Sequence, residues 1–283
     1  MNIGKLGVFL FNDSMTAQHT ADLARKAEQW GYGAYWFTEA RGRNSFAHAA
    51  WLLSQTSKLV VATGIANIYA RDAQATAGAR YALNEQSDNR FLLGLGVSHA
   101  PLVEGLRGHN YGKPLAFMRE YLEKMSQAVY DAPKPTGDSQ VVLAALGPKM
   151  LKLAGEMADG AHPYNVTPEH TAQARKILGP NKKLYVEHKV MLETDPAKAR
   201  AAGRQALDFY CKLPNYRNNW LRLGFTEDDI DSLSDRFIDA MVAWGDEEAV
   251  RAKLDEHFQA GADHVCIQPL TDVEKTLQRL APG

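Results

Sequence analysis

Short apolar runs alternate with amphipathic stretches along most of the chain. After the run Lys5–Phe11, Leu23, Ala24, Ala27 and Trp30 recur at helical spacing within Thr16–Trp30. Asp13 or Ser14 is placed to cap this helix, and Gly31 to end it. The alternation goes on through strands at Ala34–Thr38, Leu59–Ile65, Phe91–Gly96, Val141–Ala145, Gly160–His162, Leu184–Leu192 and His264–Gln268. Helices are expected between them at Ser45–Ser54, Ala73–Glu85, Pro114–Tyr130, Pro148–Ala158, Pro168–Leu178 and Glu247–Gln259. Runs such as Leu59–Ala62 and Phe91–Leu93 are apolar throughout, as in strands covered on both faces.

Eight strand–helix units in 283 residues predict an α/β fold, a (β/α)8 TIM barrel, in preference to an open doubly wound sheet. Two stretches interrupt the repeat. Ser98–Lys113 is irregular, and Pro196–Gly245 reads as a helical insertion before the last strand, so residues 1–283 are expected to form one domain.

Composition narrows the function classes. Lys and Arg number 32 against 33 Asp and Glu, which gives a net charge of -1 and no global basic field for nucleic acid or an acidic membrane. Cys211 and Cys266 form no CxxC, so a disulfide framework and a zinc ribbon are not expected, and a reduced cytoplasmic setting is. No apolar stretch reaches membrane-spanning length, and Met1–Phe11 lacks a signal-peptide core. The nine histidines are scattered and no HExxH occurs, so no metal is expected.

In a barrel the chemistry sits on loops after the strands. Several motifs there fail. Gly94-Leu-Gly96-Val-Ser-His99 lacks the third glycine of a dinucleotide fingerprint, and Gly108-His-Asn-Tyr-Gly112-Lys113 is too short for a P-loop. Gly96-Val-Ser98-His-Ala100 approaches a serine-hydrolase elbow, with His264 as a conceivable base, but Ala100 replaces the last glycine. Pro101, Gly105 and Gly108 also argue against the helix that such an elbow needs.

Three features survive. In Ala144-Ala-Leu146-Gly147-Pro148-Lys149, Gly147 allows close approach and Pro148 suits a first helical position. The free N–H groups that follow, with Lys149 beside them, make an anion site, although an ordinary strand–helix turn has the same look. Ala62–Asp72 ends a strand in a polar loop with Asn67, Tyr69 and Arg71, where Tyr69 could meet a planar ligand or be core, and Arg71 could serve a ligand or instead pair with Asp72 or cap a helix end. Glu39, after the second strand, and His99, after the fourth, are candidate ligand contacts or proton-transfer groups, or else solvated loop groups, with the helix-free loop favouring a functional His99.

These residues resemble the luciferase-like monooxygenase superfamily, and within it the oxidoreductases that use the deazaflavin coenzyme F-420 (F420). The likeness is carried by Thr63-Gly-Ile-Ala-Asn-Ile-Tyr-Ala-Arg-Asp72, Arg90-Phe-Leu-Leu-Gly-Leu-Gly-Val-Ser-His99 and Gly147-Pro-Lys-Met-Leu-Lys-Leu-Ala-Gly-Glu-Met-Ala-Asp-Gly160. It extends to Leu213–Trp220 and Ala262–Gln268, so it covers nearly the whole chain. The resemblance implies a ring bound at the C-terminal mouth of the barrel. A bulge with a cis peptide at Gly64–Ile65 would back it, and Val97, Ser98 and His99 would line it. The phosphate would be held by Leu146, Gly147, Pro148 and Lys149.

Two departures concern proton transfer. Ala40 stands where some relatives carry a catalytic histidine, and His99 where they carry a glutamate. The expectation is that His99 and Glu39 handle protons while the coenzyme carries the hydride. FMN is the rival cofactor, and with it comes a flavin-dependent monooxygenase; a non-catalytic flavin-binding accessory protein is the third reading. Tyr216, Arg217 and Trp220 in the insertion are candidate substrate contacts, with Arg217 suited to an anion. The expected partners are a small-molecule substrate and a second copy of the chain, as a homodimer.

Overall fold

A computed structural model describes residues 1–282. The strands are β1 (Leu6–Leu10), β2 (Ala34–Phe37), β3 (Val60–Thr63), β4 (Ala66–Asn67), β5 (Phe91–Gly96), β6 (Val141–Leu143), β7 (Gly160–Ala161), β8 (Lys183–Leu192), β9 (Val242–Gly245) and β10 (His264–Pro269). The helices between β1 and β8 are α1 (Ala17–Gln29), α2 (Ser45–Gln55), α3 (Ala73–Glu85), α4 (Pro114–Ser126), α5 (Pro148–Met157) and α6 (Pro168–Leu178). Then come α7 (Pro196–Cys211), α8 (Pro214–Arg222), α9 (Glu227–Asp231), α10 (Asp235–Met241), α11 (Glu247–Gln259) and α12 (Val273–Arg279).

All strand pairs are parallel, in the order β1-β2-β3-β5-β6-β7-β8-β10, and β10 returns to β1. The sheet therefore closes as an eight-stranded α/β barrel. The pleat explains its two cores. Phe9, Trp36, Ala62, Leu92, Val142, Tyr185 and Cys266 pack together inside the barrel. Their strand neighbours Val8, Tyr35, Val61, Leu93, Leu143 and Val186 point outward against the helices.

Several elements differ from the sequence reading. Thr16, rather than Asp13 or Ser14, caps α1, accepting from the His19 amide. Helix α4 stops at Ser126, because the Gln74 side chain takes both the N–H and the carbonyl of Val129 (3.0 and 2.6 Å). A π-helical turn, Pro101–Leu106, follows β5 where no helix was expected. The stretch read as wholly helical contains β9, which pairs with Lys189–Leu192 of β8. Since β10 already holds the opposite edge of β8 at those residues, β9 shares the β7 edge.

Candidate active site

Loops at the C-terminal ends of the strands enclose a cavity of about 810 Å³, roofed by α7 and α8. Its floor is apolar and close-fitting. A Cβ on Gly64 would lie 2.6 Å from the Phe9 ring, and one on Gly96 would lie 2.4 Å from Ile65. The Gly64–Ile65 peptide between β3 and β4 is cis. Phe9, Gly64, Ile65, Gly96, Val97 and Ser98 make one wall. Tyr164, Tyr210 and Tyr216 also line the cavity, with the Tyr164 ring 5.2 Å from that of Phe9.

Leu146, Gly147, Pro148 and Lys149 form one rim. Pro148 opens α5 and no side chain caps it; Met150 already donates to the Gly147 carbonyl (3.1 Å), which leaves the Lys149 amide as the first-turn donor open to a ligand. His170 donates from Nε2 to the Leu146 carbonyl (2.8 Å) and holds the loop. A cation that the sequence reading missed joins this rim. Arg222, from the end of α8, reaches to 3.6 Å from where a Gly147 Cβ would stand, and Asn219 accepts from it (3.2 Å). Burial lowers its pKa.

Glu39 also lines the cavity, but its carboxylate is fully engaged. Oε1 accepts from the Ser45 amide (3.1 Å), and Oε2 from the Asn67 amide (2.8 Å). Arg71 grips both oxygens. Burial opposes the charge, yet Arg71 and the two amides outweigh it and lower the pKa. Glu39 is thus a fixed carboxylate joining β2, α2 and β4, a poor fit to the expected role in moving protons. Arg71 is spent on this pair and stacks on Phe46 at 4.5 Å. Tyr69 donates to the Tyr111 carbonyl (2.6 Å), and the Asn67 side chain accepts from the Tyr69 amide (2.9 Å). Asn67, Tyr69 and Arg71 therefore stand behind the cavity wall instead of contacting its contents.

His99 does face the cavity, half-buried, with its ring 5.8 Å from that of Tyr216. Burial pushes its pKa down, against a hydrogen bond with Asn215. The insertion candidates divide. Tyr216 lines the cavity. Trp220 is wholly buried in the insertion's own core and donates to the Asn165 carbonyl (3.1 Å). Arg217 is neutralised by Asp231 (2.6 Å) and Glu227, away from the cavity, against the expected contact with an anionic substrate, and Arg222 is the α8 arginine that lines the cavity.

Beneath Tyr164 lies a buried ion pair that the sequence reading also missed. Lys189 Nζ donates to Glu187 (3.2 Å) and to Asn165, and sits 4.1 Å from the centre of the Tyr164 ring. Its signal was available, since two charged residues two apart in β8 must share the inner face. Tyr164 in turn donates to Gln268 (2.9 Å) and lies 3.0 Å from the Tyr210 hydroxyl.

The hydrolase reading fails on position. His264 begins β10 at the far end of the barrel, where Nε2 accepts from Trp36 (3.2 Å) and Nδ1 donates to the Gly4 carbonyl (2.9 Å). Ser98 is at the opposite end, after β5. Among the described residues no cluster of His, Cys, Asp and Glu could hold a metal, and no helix is long and apolar enough to cross a membrane.

Comparison with known proteins places the chain. It is 31% identical over 195 residues to Rv3520c of Mycobacterium tuberculosis, whose name assigns it provisionally to the coenzyme F420-dependent oxidoreductases; the match covers 58% of this chain and 56% of that one. It is 29% identical over 216 residues to a 5,10-methylenetetrahydromethanopterin reductase of Methanolobus tindarius, covering 67% of this chain and 66% of that one. This chain thus matches less than two thirds of the length of either relative. An F420-dependent secondary alcohol dehydrogenase, solved with an F420–acetone adduct, superposes with a TM-score of 0.78 at 15% identity, covering 98% of this chain and 96% of that one. The luciferase-like monooxygenase family model matches residues 4–264, and the chain belongs to that family.

Proposed function

We propose that the protein is an oxidoreductase that uses coenzyme F-420 to move hydride to or from a small organic substrate. The observation that carries this reading is the cavity's two-part character. An apolar slot walled by Phe9, Gly64, Ile65 and Val97 suits a flat tricyclic ring. The uncapped start of α5, with Lys149 and Arg222, suits a phosphate on one rim. The name of the Mycobacterium tuberculosis relative points to coenzyme F420, and that of the Methanolobus tindarius relative to a reductase.

Bound there, the deazaflavin would supply the hydride chemistry. The chain's own residues bind, orient and exclude water. Gly64 and Gly96 let Phe9 and Ile65 pack directly against the backbone of the slot, because a Cβ at either would overlap them. The Glu39–Arg71 pair fixes the β2 and β4 loops that frame it. His99 is neutral near pH 7, since burial lowers its pKa, and it is the cavity group suited to take up or return a proton. Tyr216 and Tyr210 shape the substrate side.

The family model's description favours a second reading, a monooxygenase, for which FMN is the cofactor we weigh. FMN has the same ring shape and one phosphate, so the same slot and rim would hold it. Titration of the purified protein with F-420 and with FMN, followed by cofactor fluorescence, separates the two. Tight F-420 binding with weak FMN binding is expected. Preference for FMN moves the protein to the monooxygenase reading, and binding of neither removes both.

A further inference from the structure

His162, which follows β7, lines the cavity and carries the nitrogen Nε2. That nitrogen is buried and has no hydrogen-bond partner among the described residues. The rest of the ring is fixed. Nδ1 lies 2.8 Å from the Tyr185 carbonyl, which can only accept, so Nδ1 carries the hydrogen. The ring stacks on Trp36 (4.3 Å, 15°) and lies against Phe9 (5.9 Å, 27°). The imidazole is neutral, with burial pushing its pKa down to about 4. Nε2 therefore presents a bare lone pair, and a buried acceptor without a partner is costly.

Gly64 stands beside that lone pair. A Cβ there would stand 3.1 Å from Nε2 and 2.6 Å from the Phe9 ring, so no side chain at position 64 covers the nitrogen. The orphan acceptor belongs to a residue that lines the cavity, as Gly64 beside it does. We infer that His162 Nε2 is a ligand-recognition atom that accepts a hydrogen bond from an uncharged N–H or O–H donor on the molecule bound in the barrel mouth.

The site selects by sign. A phosphate or carboxylate offers only acceptors and is repelled by the lone pair, so it belongs at the α5 rim. A ligand must enter with its donor edge toward His162 and its anionic end toward Lys149 and Arg222. This inference rests on the proposed function for the ligand's identity. The donor comes either from a ring N–H of the tricyclic cofactor or from the hydroxyl of an alcohol substrate.

Nitrogen NMR of protein labelled with 15N-histidine tests it, and His162→Phe identifies the resonance. F-420, FMN and 2-propanol are added separately and then together, with cofactor binding followed in parallel by fluorescence. The Nε2 resonance is expected to move upfield. Movement with cofactor alone assigns the donor to the cofactor ring. Movement only when 2-propanol joins bound cofactor assigns it to the substrate. His162→Phe is expected to weaken binding of the responsible ligand about three- to tenfold, as for one lost neutral hydrogen bond. If fluorescence shows a cofactor bound and Nε2 stays put through all additions, this inference is overturned and the proposed function stands. If neither cofactor binds, the proposed function falls, and a still resonance in 2-propanol removes the inference as well.

Discussion

Glu39 and Arg71 stand 32 residues apart in sequence and are almost wholly withdrawn from water. Removing one charge strands the other. Glu39→Gln should therefore cost ~3 kcal/mol in denaturant unfolding, while Glu39→Gln combined with Arg71→Met should cost less than the two single changes summed. At the α5 rim the expectation differs. Lys149 is exposed, so Lys149→Ala should leave stability unchanged but weaken F-420 binding, with the loss fading at high salt. Arg222→Ala should weaken it more, about tenfold or beyond by fluorescence titration, as for one charge-assisted hydrogen bond.

At the scale of elements, the insertion carries its own small core. Trp220 is buried at its centre between Tyr216 and Phe237, with ring centroids 5.8 and 4.8 Å away. Trp220→Ala should cost about 3–5 kcal/mol locally. Hydrogen exchange should then quicken in α7, α8 and α10 while the barrel strands stay protected, because cooperative units open separately. The alternation of apolar runs made the barrel legible from sequence, since each strand–helix unit is encoded locally. The Gly147–Lys149 turn was legible for the same reason. Features set by distant contacts were not. Arg222 meets Gly147 only after α8 folds back over the mouth. Nothing within Val242–Gly245 marks a strand until β8 offers an edge to it. Arg217 and Arg222 look alike in sequence, and only the acidic neighbours Glu227 and Asp231 take the first out of the site.

Taken whole, the molecule buries an unusual set of neutral histidines. Burial lowers His162, His170 and His264 to about 4 and His257 to about 3. In the unfolded chain each protonates near 6.5. Above that pH neither state binds the proton, so stability is unaffected. Between about 6.5 and 4 the unfolded state binds more protons, and each histidine removes up to ~1.4 kcal/mol per pH unit. The stability present above pH 6.5 is thus lost as pH falls toward 4. Urea midpoints should be flat from pH 7 to 8 and fall steeply below 6.5. Replacing His264 with Gln should flatten that slope even if the variant is weaker at pH 7.

Strand pairing at the neck of the insertion has an evolutionary consequence. Leu192, the last residue of β8, is in register with Gly245, the last of β9. Parallel neighbours lie about 4.8 Å apart, so the chain leaves and re-enters the barrel at nearly one point. An excursion pinned at its neck can change length and content without disturbing the eight strands. It behaves as an exchangeable cassette. Recombination between relatives at these two positions would carry a new roof, and with it a new substrate range, onto an unchanged cofactor slot.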